Sequence, residues 1–177
     1  SNHINEPDTI IKKYFTSLHE REMVRQELKI NPEDQYLIFK NVVKLLIKFD
    51  LSTAERAFFR EIILDENKII LENSLKLYPS DKNIEWLADK LITHALLDRK
   101  GKDENEIGFI NEFVFGTFIG EIMSEAPAIE VENIFSSYMV ELGATAYRVQ
   151  NVENKELLWN KIETLKHKFE NSSLFTF

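Results

Sequence analysis

Four histidines, His3, His19, His94 and His167, are the side chains of this chain best suited to proton transfer or metal binding. None belongs to an H-E-x-x-H or His-x-Asp pattern. His94 falls at the edge of an apolar helix face, where a lone histidine is more often partly buried and satisfied by a neighbour than a metal ligand. There is no cysteine, which excludes disulfide scaffolds, thiolate zinc sites and cysteine nucleophiles. The acid pairs Asp65-Glu66 and Asp103-Glu104 read as turn formers at a break and a tip. None of the five glycines opens a G-x-x-x-x-G-K-[ST] phosphate loop, and neither a G-x-S-x-G elbow nor a kinase motif set is present. The expectation is a non-catalytic chain without catalytic residues, cofactor or metal. The basic cluster Arg99-Lys100-Gly101-Lys102 could touch a phosphate backbone from the tip of a wing. Asp103, Glu104 and Glu106 follow it directly, however, and the preceding helix exposes Glu85, Asp89, Lys90 and Thr93 rather than the Arg or Asn that reads bases. A solvated turn is the favoured reading, with Arg99, Lys100 and Lys102 kept as candidate wing contacts.

Charge supports that choice. The 177 residues carry a net charge of −8. Residues 1–60 hold ten Lys/Arg against nine Asp/Glu, and residues 61–177 hold twelve against twenty-one. From Asp103 to Tyr147 there are nine acids and no Lys, Arg or His. Such a surface repels phosphate backbones and anionic lipid, so neither nucleic acid nor membrane is expected as a partner. Hydrophobic content of 44% and charged content of 29% are an ordinary globular balance. No signal peptide or spanning segment is recognisable, so the cytoplasm is the expected location. Ser1-Asn2 has the look of a cloning scar, which would make the chain a piece of a longer protein.

The elements that would position these residues centre on Trp86 to Met123. Trp86, Leu87, Leu91 and Ala95 form an apolar stripe that predicts a helix over about 83–96. Leu97 and Arg99, then Ile107 and Phe109, flank the polar tip 100–105 and predict a β-hairpin with a loop longer than two residues. Asn111 is an N-cap for a helix from Glu112, whose Phe113, Val114, Phe115, Phe118, Ile119, Ile122 and Met123 are apolar nearly all round. This is expected to be the most buried helix. Gly116 and Gly120 share one of its faces, which points to close packing by another helix, either 31–49 or 131–146. Glu112 and Glu121 keep the apolar run far below the roughly 18 residues a membrane span requires.

The rest is also helical. Pro7 opens a first helix with Ile11, Phe15 and Leu18 on its apolar face. The polar segment His19-Glu20-Arg21-Glu22 either breaks it or is crossed by it, with Met23, Val24 and Leu28 as a second patch. Asn31-Pro32-Glu33-Asp34 starts a strongly apolar helix to Phe49. Ser52 and Glu55 have capping-box spacing for a helix carrying Ala54, Phe58, Ile62 and Ile63. Asp65-Glu66-Asn67 breaks the pattern ahead of a short helix before Tyr78. Strands are expected only in the hairpin. After Ala126-Pro127, Val131 to Ala146 and Leu158 to Phe169 are expected to pair as a helical hairpin.

The phrase LLDRKGKDENEIGFI followed by NEFVFGTFIGEIM resembles the winged-helix segment C-terminal to the nucleotide-binding core of STAND-type signal-transduction NTPases, the NACHT and related groups. Phe109, Glu112, Phe113, Phe118 and Ile119 occupy the matching places, and Asn111 stands where that family often has His. The resemblance implies a regulatory arm that works by packing on a nucleotide-binding domain or a partner subunit, in signalling or anti-phage defence. The alternatives are a DNA-binding winged helix and a free-standing helical interaction domain. The expected fold is mainly α: an N-terminal helix in 1–30, a winged-helix-like unit of three helices and a hairpin in 31–124, and a helical extension in 125–177.

Overall fold

The computed structural model describes residues 7–126 and 128–144. The described elements are α1 (Pro7–Arg25), α2 (Pro32–Lys48), β1 (Thr53–Glu55), α3 (Arg56–Leu75), α4 (Ile84–Leu91), β2 (Leu97–Lys100), β3 (Glu106–Phe109), α5 (Glu112–Glu125), α6 (Ala128–Ser137) and α7 (Met139–Ala144). The fold is mainly helical with a small antiparallel sheet. Two compact units divide the chain at Ile10/Ile11 and at Ile110/Asn111, the residues 11–110 forming one and the flanking segments the other.

Asparagine caps set three of the helix starts. The side chains of Asn31, Asn83 and Asn111 accept from the backbone N–H of Asp34, Trp86 and Val114, satisfying donors that the first turn leaves orphaned. In unit 11–110, α2 turns Ile38, Phe39, Val42, Val43 and Leu46 inward. Phe109 on β3 lies 6.3 Å from the Phe39 ring and 6.4 Å from Phe59 on α3, so α2, α3 and the sheet meet around these three aromatics.

The hairpin forms as the alternation predicts. Leu97 pairs with Phe109 and Lys100 with Glu106, leaving residues 101–105 as the loop. Gly101 at φ 80 and Glu104 at φ 53 turn the loop through the left-handed region. The sheet has a third strand that the periodicity missed. Thr53–Glu55 pairs antiparallel with β3, giving the order β1-β3-β2. Gly108 sits in the middle strand, where an added Cβ would lie 3.0 Å from Thr53 Cγ2 and 3.1 Å from Lys100 Cγ.

This strand corrects the helix expected from Ser52. α3 opens at Arg56, and Glu55 stands at the cap without a side-chain cap bond. Ile62 and Ile63 are buried as expected, but the residue that joins them inside is Phe59, while Phe58 lies outside. α3 also continues through Asp65-Glu66 to Leu75, where a break and a separate helix were expected. Only Asn67 leaves helical geometry, at φ −127 and ψ 18. Its buried amide donates to the Ile63 and Ile38 carbonyls, and its oxygen accepts from Asn41. A side chain that takes up the carbonyl freed by a kink lets one helix bend rather than end. α4 stops at Leu91, short of the expected 96.

The first helix crosses its polar segment without a break. Its expected second patch fails in part, since Val24 is 82% exposed while Leu28 is buried. In the other unit, α5 buries ten of its residues, Gly116, Phe118 and Gly120 among them, and packs on α7 and α6. Phe115 meets Tyr138 edge-on at 5.7 Å. The single helix expected over 131–146 is interrupted at Tyr138, between α6 and α7. The expected helix from Leu158 to Phe169 lies outside the described residues.

Candidate functional site: the hairpin tip and a buried histidine pair

The candidate wing residues are brought together as neighbours on the hairpin. Arg99 and Lys100 end β2, and Lys102 lies in the loop beyond. They do not make a concentrated positive surface. The Arg99 Nη1 is 4.0 Å from Glu104 Oε2, an exposed pair that local acid neutralises. Lys100 is half-buried, with its Cγ over Gly108. The exposed side of α4 carries Glu85 and Asp89, and Asp89 accepts from Arg60 Nε at 2.7 Å. Trp86 on the same helix lies under Lys82 and Lys90, 5.1 and 5.3 Å from the ring. The face therefore mixes both signs around one aromatic.

The densest polar chemistry lies inside. His19, near the middle of α1, and His94, in the turn after α4, are each 1% exposed. The tautomers follow from the network. The Leu96 N–H donates to His94 Nδ1, which puts the His94 proton on Nε2, and that N–H donates to Gln35 Oε1 at 2.9 Å. The Gln35 amide is oriented by donating through Nε2 to the Ile30 and His19 carbonyls. Its oxygen then accepts a second hydrogen bond, from His19 Nδ1 at 3.0 Å, with the two imidazoles 3.3 Å apart at their nearest nitrogens. His19 Nε2 is left buried without a partner.

Burial holds both rings neutral. It lowers His19 to about 4, against the opposite pull of the Gln35 hydrogen bond and the Glu22 charge. It lowers His94 to about 3, with repulsion from His19 acting in the same direction.

One turn further along α1, the Glu22 side chain is fully buried and its oxygens are taken by Arg25 Nε at 2.8 Å, Arg25 Nη2 at 2.6 Å and Gln26 Nε2 at 2.6 Å. Burial raises this carboxyl, but the Arg25 and Gln26 hydrogen bonds and the nearby positive charge outweigh it and the net shift is downward. Arg25 also donates to the Thr93 carbonyl, and the Thr93 hydroxyl to Gln26 Oε1. The cluster ties α1 to α2 and to the turn after α4.

His94 is satisfied by neighbours, as expected, but it is fully rather than partly buried. Sequence reading missed its partners, because Gln35 and His19 lie 59 and 75 residues away. The polar run His19–Glu22 inside an apolar-patterned helix was the available signal. Of the acid pairs, Asp103-Glu104 sits at the tip as expected, whereas Asp65-Glu66 lies within α3. Among the described residues no group of three or more His, Asp or Glu side chains could hold a metal ion, and no helix is long and apolar enough to cross a membrane. His3 and His167 lie outside the described residues. No protein-family model, no curated protein and no solved structure matches this chain.

Proposed function

We propose that this chain is a non-catalytic protein-contact module, a winged-helix-like unit with helical extensions, of the kind that follows the nucleotide-binding core in STAND-type NTPases. The observation that carries the reading is the element order of residues 32–109. It runs helix, strand, helix, helix, strand, strand, with sheet order β1-β3-β2. A winged helix has three helices ahead of its hairpin, and α2, α3 and α4 are those three. With α3 continuous through Asn67, the segment that would have been an extra helix becomes part of the second. The module acts by packing on a nucleotide-binding domain or a partner subunit, in a cytoplasmic signalling or defence protein.

Duplex DNA is the weaker use of the same element order. The helix that would enter the major groove carries Glu85 and Asp89, and the tip balances Arg99 against Glu104. The reading is open to direct measurement. The parent reading frame should place a phosphate-binding loop ahead of this chain, and that upstream segment should co-purify with it when the two are expressed as separate pieces. Calorimetry with the isolated chain should give no heat on adding ATP. A micromolar ATP affinity for this chain alone, or a gel shift with a Kd of about 10⁻⁸ M for duplex DNA at physiological salt, would overturn the proposal.

A further inference from the structure

The cleft of about 440 Å³ lined by Met23, Lys29, Asn31, Asp34, Ser74 and Leu77 is open. Its polar groups are already engaged: Asn31 caps α2, Lys29 Nζ donates to the Leu77 carbonyl and Ser74 to the Ile70 carbonyl. The buried cluster carries more. We propose that the His19–Gln35–His94 cluster is an acid-operated latch for α1: one proton taken up there frees α1 from α2 and from the turn after α4, while α2–α4 and the sheet stay folded.

α1 is held by few apolar side chains. It buries only two apolar side chains, Ile11 and Phe15, among its described residues, while Ile10, Tyr14 and Val24 lie outside. Its other buried side chains are His19 and Glu22. A helix attached largely by hydrogen bonds depends on every one of them being satisfied.

The network has no room for an added proton. One site is His19 Nε2, buried and without an acceptor. Protonation there creates a buried charged donor that nothing receives. The other is His94 Nδ1, which accepts from the Leu96 N–H. Protonation there breaks that bond and sets two donors facing each other. Both products are costly where they stand and are relieved by exposing the imidazole to water.

The surrounding charges do not rescue the pair. Glu22 on α1 is the opposite charge, but both its oxygens are committed to Arg25 and Gln26. Arg25 and Arg21 on the same helix oppose a further positive charge. From α2 the neighbours are uncharged: Gln35, Tyr36 and Phe39. The turn after α4 contributes Thr93, which bonds to Gln26. An imidazole freed into water binds its proton near the ordinary histidine value, so acid pulls toward the open form. His94 stays held in the α4–β2 turn by the packing of Leu91 and Leu96. α1 buries two apolar side chains against five on α2, so of the elements joined by the cluster it is the one that moves.

The test is backbone hydrogen–deuterium exchange of the unmodified chain at about pH 7 and about pH 4.5, corrected for the chemical exchange rate. Protection in α1 should drop at least about tenfold relative to α2 and α3 at the lower pH. The NMR titration of the two buried imidazoles should share its midpoint with that drop. In the double variant His19→Gln, His94→Gln, α1 protection should no longer depend on pH. Should that variant not fold, the coincidence of the two midpoints in the unmodified chain decides by itself. Loss of protection in α1 and α2 together, an α1 protected at both pH values, or separated midpoints would overturn the latch.

Discussion

Two helices, α1 and α5, show two ways of being fixed in place. α5 is apolar nearly all round and buries ten residues over fourteen, with Phe118 and Met123 fully enclosed. α1 is longer, at nineteen residues, yet its described burial rests on Ile11, Phe15, His19 and Glu22. The first kind of attachment is non-directional and carries no titrating group, because it follows from removing apolar surface from water. The second is directional. Each hydrogen bond adds little net stability when made and costs more when a buried partner is left alone. Apolar helices therefore tolerate changes of solution and fail on changes of volume, and polar-stitched ones do the reverse.

That contrast can be broken or sharpened by measurement. The largest expected effect is on α5: Phe118→Ala should lower the unfolding free energy by about 3–5 kcal/mol in chemical denaturation. A midpoint unchanged within error would remove α5 from the centre of its unit.

Next comes pH, which should act through the histidine pair. Folded His19 and His94 have pKa values lowered to about 4 and about 3, below the unfolded value near 6.5. The unfolded chain thus binds more protons as pH falls below 6.5. The contribution of these rings is full above that value and declines toward pH 4. The first proton alone should cost about 2 kcal/mol by pH 5, and its removal in His19→Gln should flatten the profile. Denaturation series at several pH values would show it. A profile as steep in the variant as in the parent would assign the acid sensitivity elsewhere.

Smaller effects are expected from the glycines. Gly116→Ala and Gly120→Ala gain up to about 1 kcal/mol of helix propensity but add a methyl group inside a packed helix, at a cost of about 1–3 kcal/mol. Net destabilisation at one or both is expected, and higher denaturation midpoints in both variants would show that the glycines do not serve packing. The smallest expected change is Glu22→Gln. It preserves shape but removes the charge that Arg25 and Gln26 share, and the half-exposed arginine limits the loss to about 1 kcal/mol. The difference should shrink when Arg25 is replaced as well, leaving the share that belongs to Gln26, as a double-mutant cycle would reveal.

Much of this architecture was written locally. The period of the apolar residues, together with Asn31, Asn83 and Asn111 at the caps, determined where α2, α4 and α5 begin, because a cap acts on donors three residues away. The alternation of Leu97, Arg99, Ile107 and Phe109 around a polar tip determined the hairpin and its register. The approach of Arg99 to Glu104 at the tip is local too, since the two are close in the chain.

What only the tertiary structure decided involves partners distant in sequence. Thr53–Glu55 is too short to carry a period, and it becomes a strand because β3 offers it an open edge, with Thr53 Oγ1 donating to Glu106 Oε2 across 53 residues. That pairing moved the start of α3 to Arg56, and Phe59 rather than Phe58 enters the interior, where its ring meets Phe109. Asn67 reads locally as a breaker, but the Ile38 carbonyl and Asn41 on α2 complete its hydrogen bonds and keep α3 whole. His19 and His94 each look like an isolated histidine until the fold sets their rings around one glutamine oxygen. Local signals report what a residue does within a few positions of itself. Strand pairing and buried polar networks depend on contacts that exist only after the chain has folded.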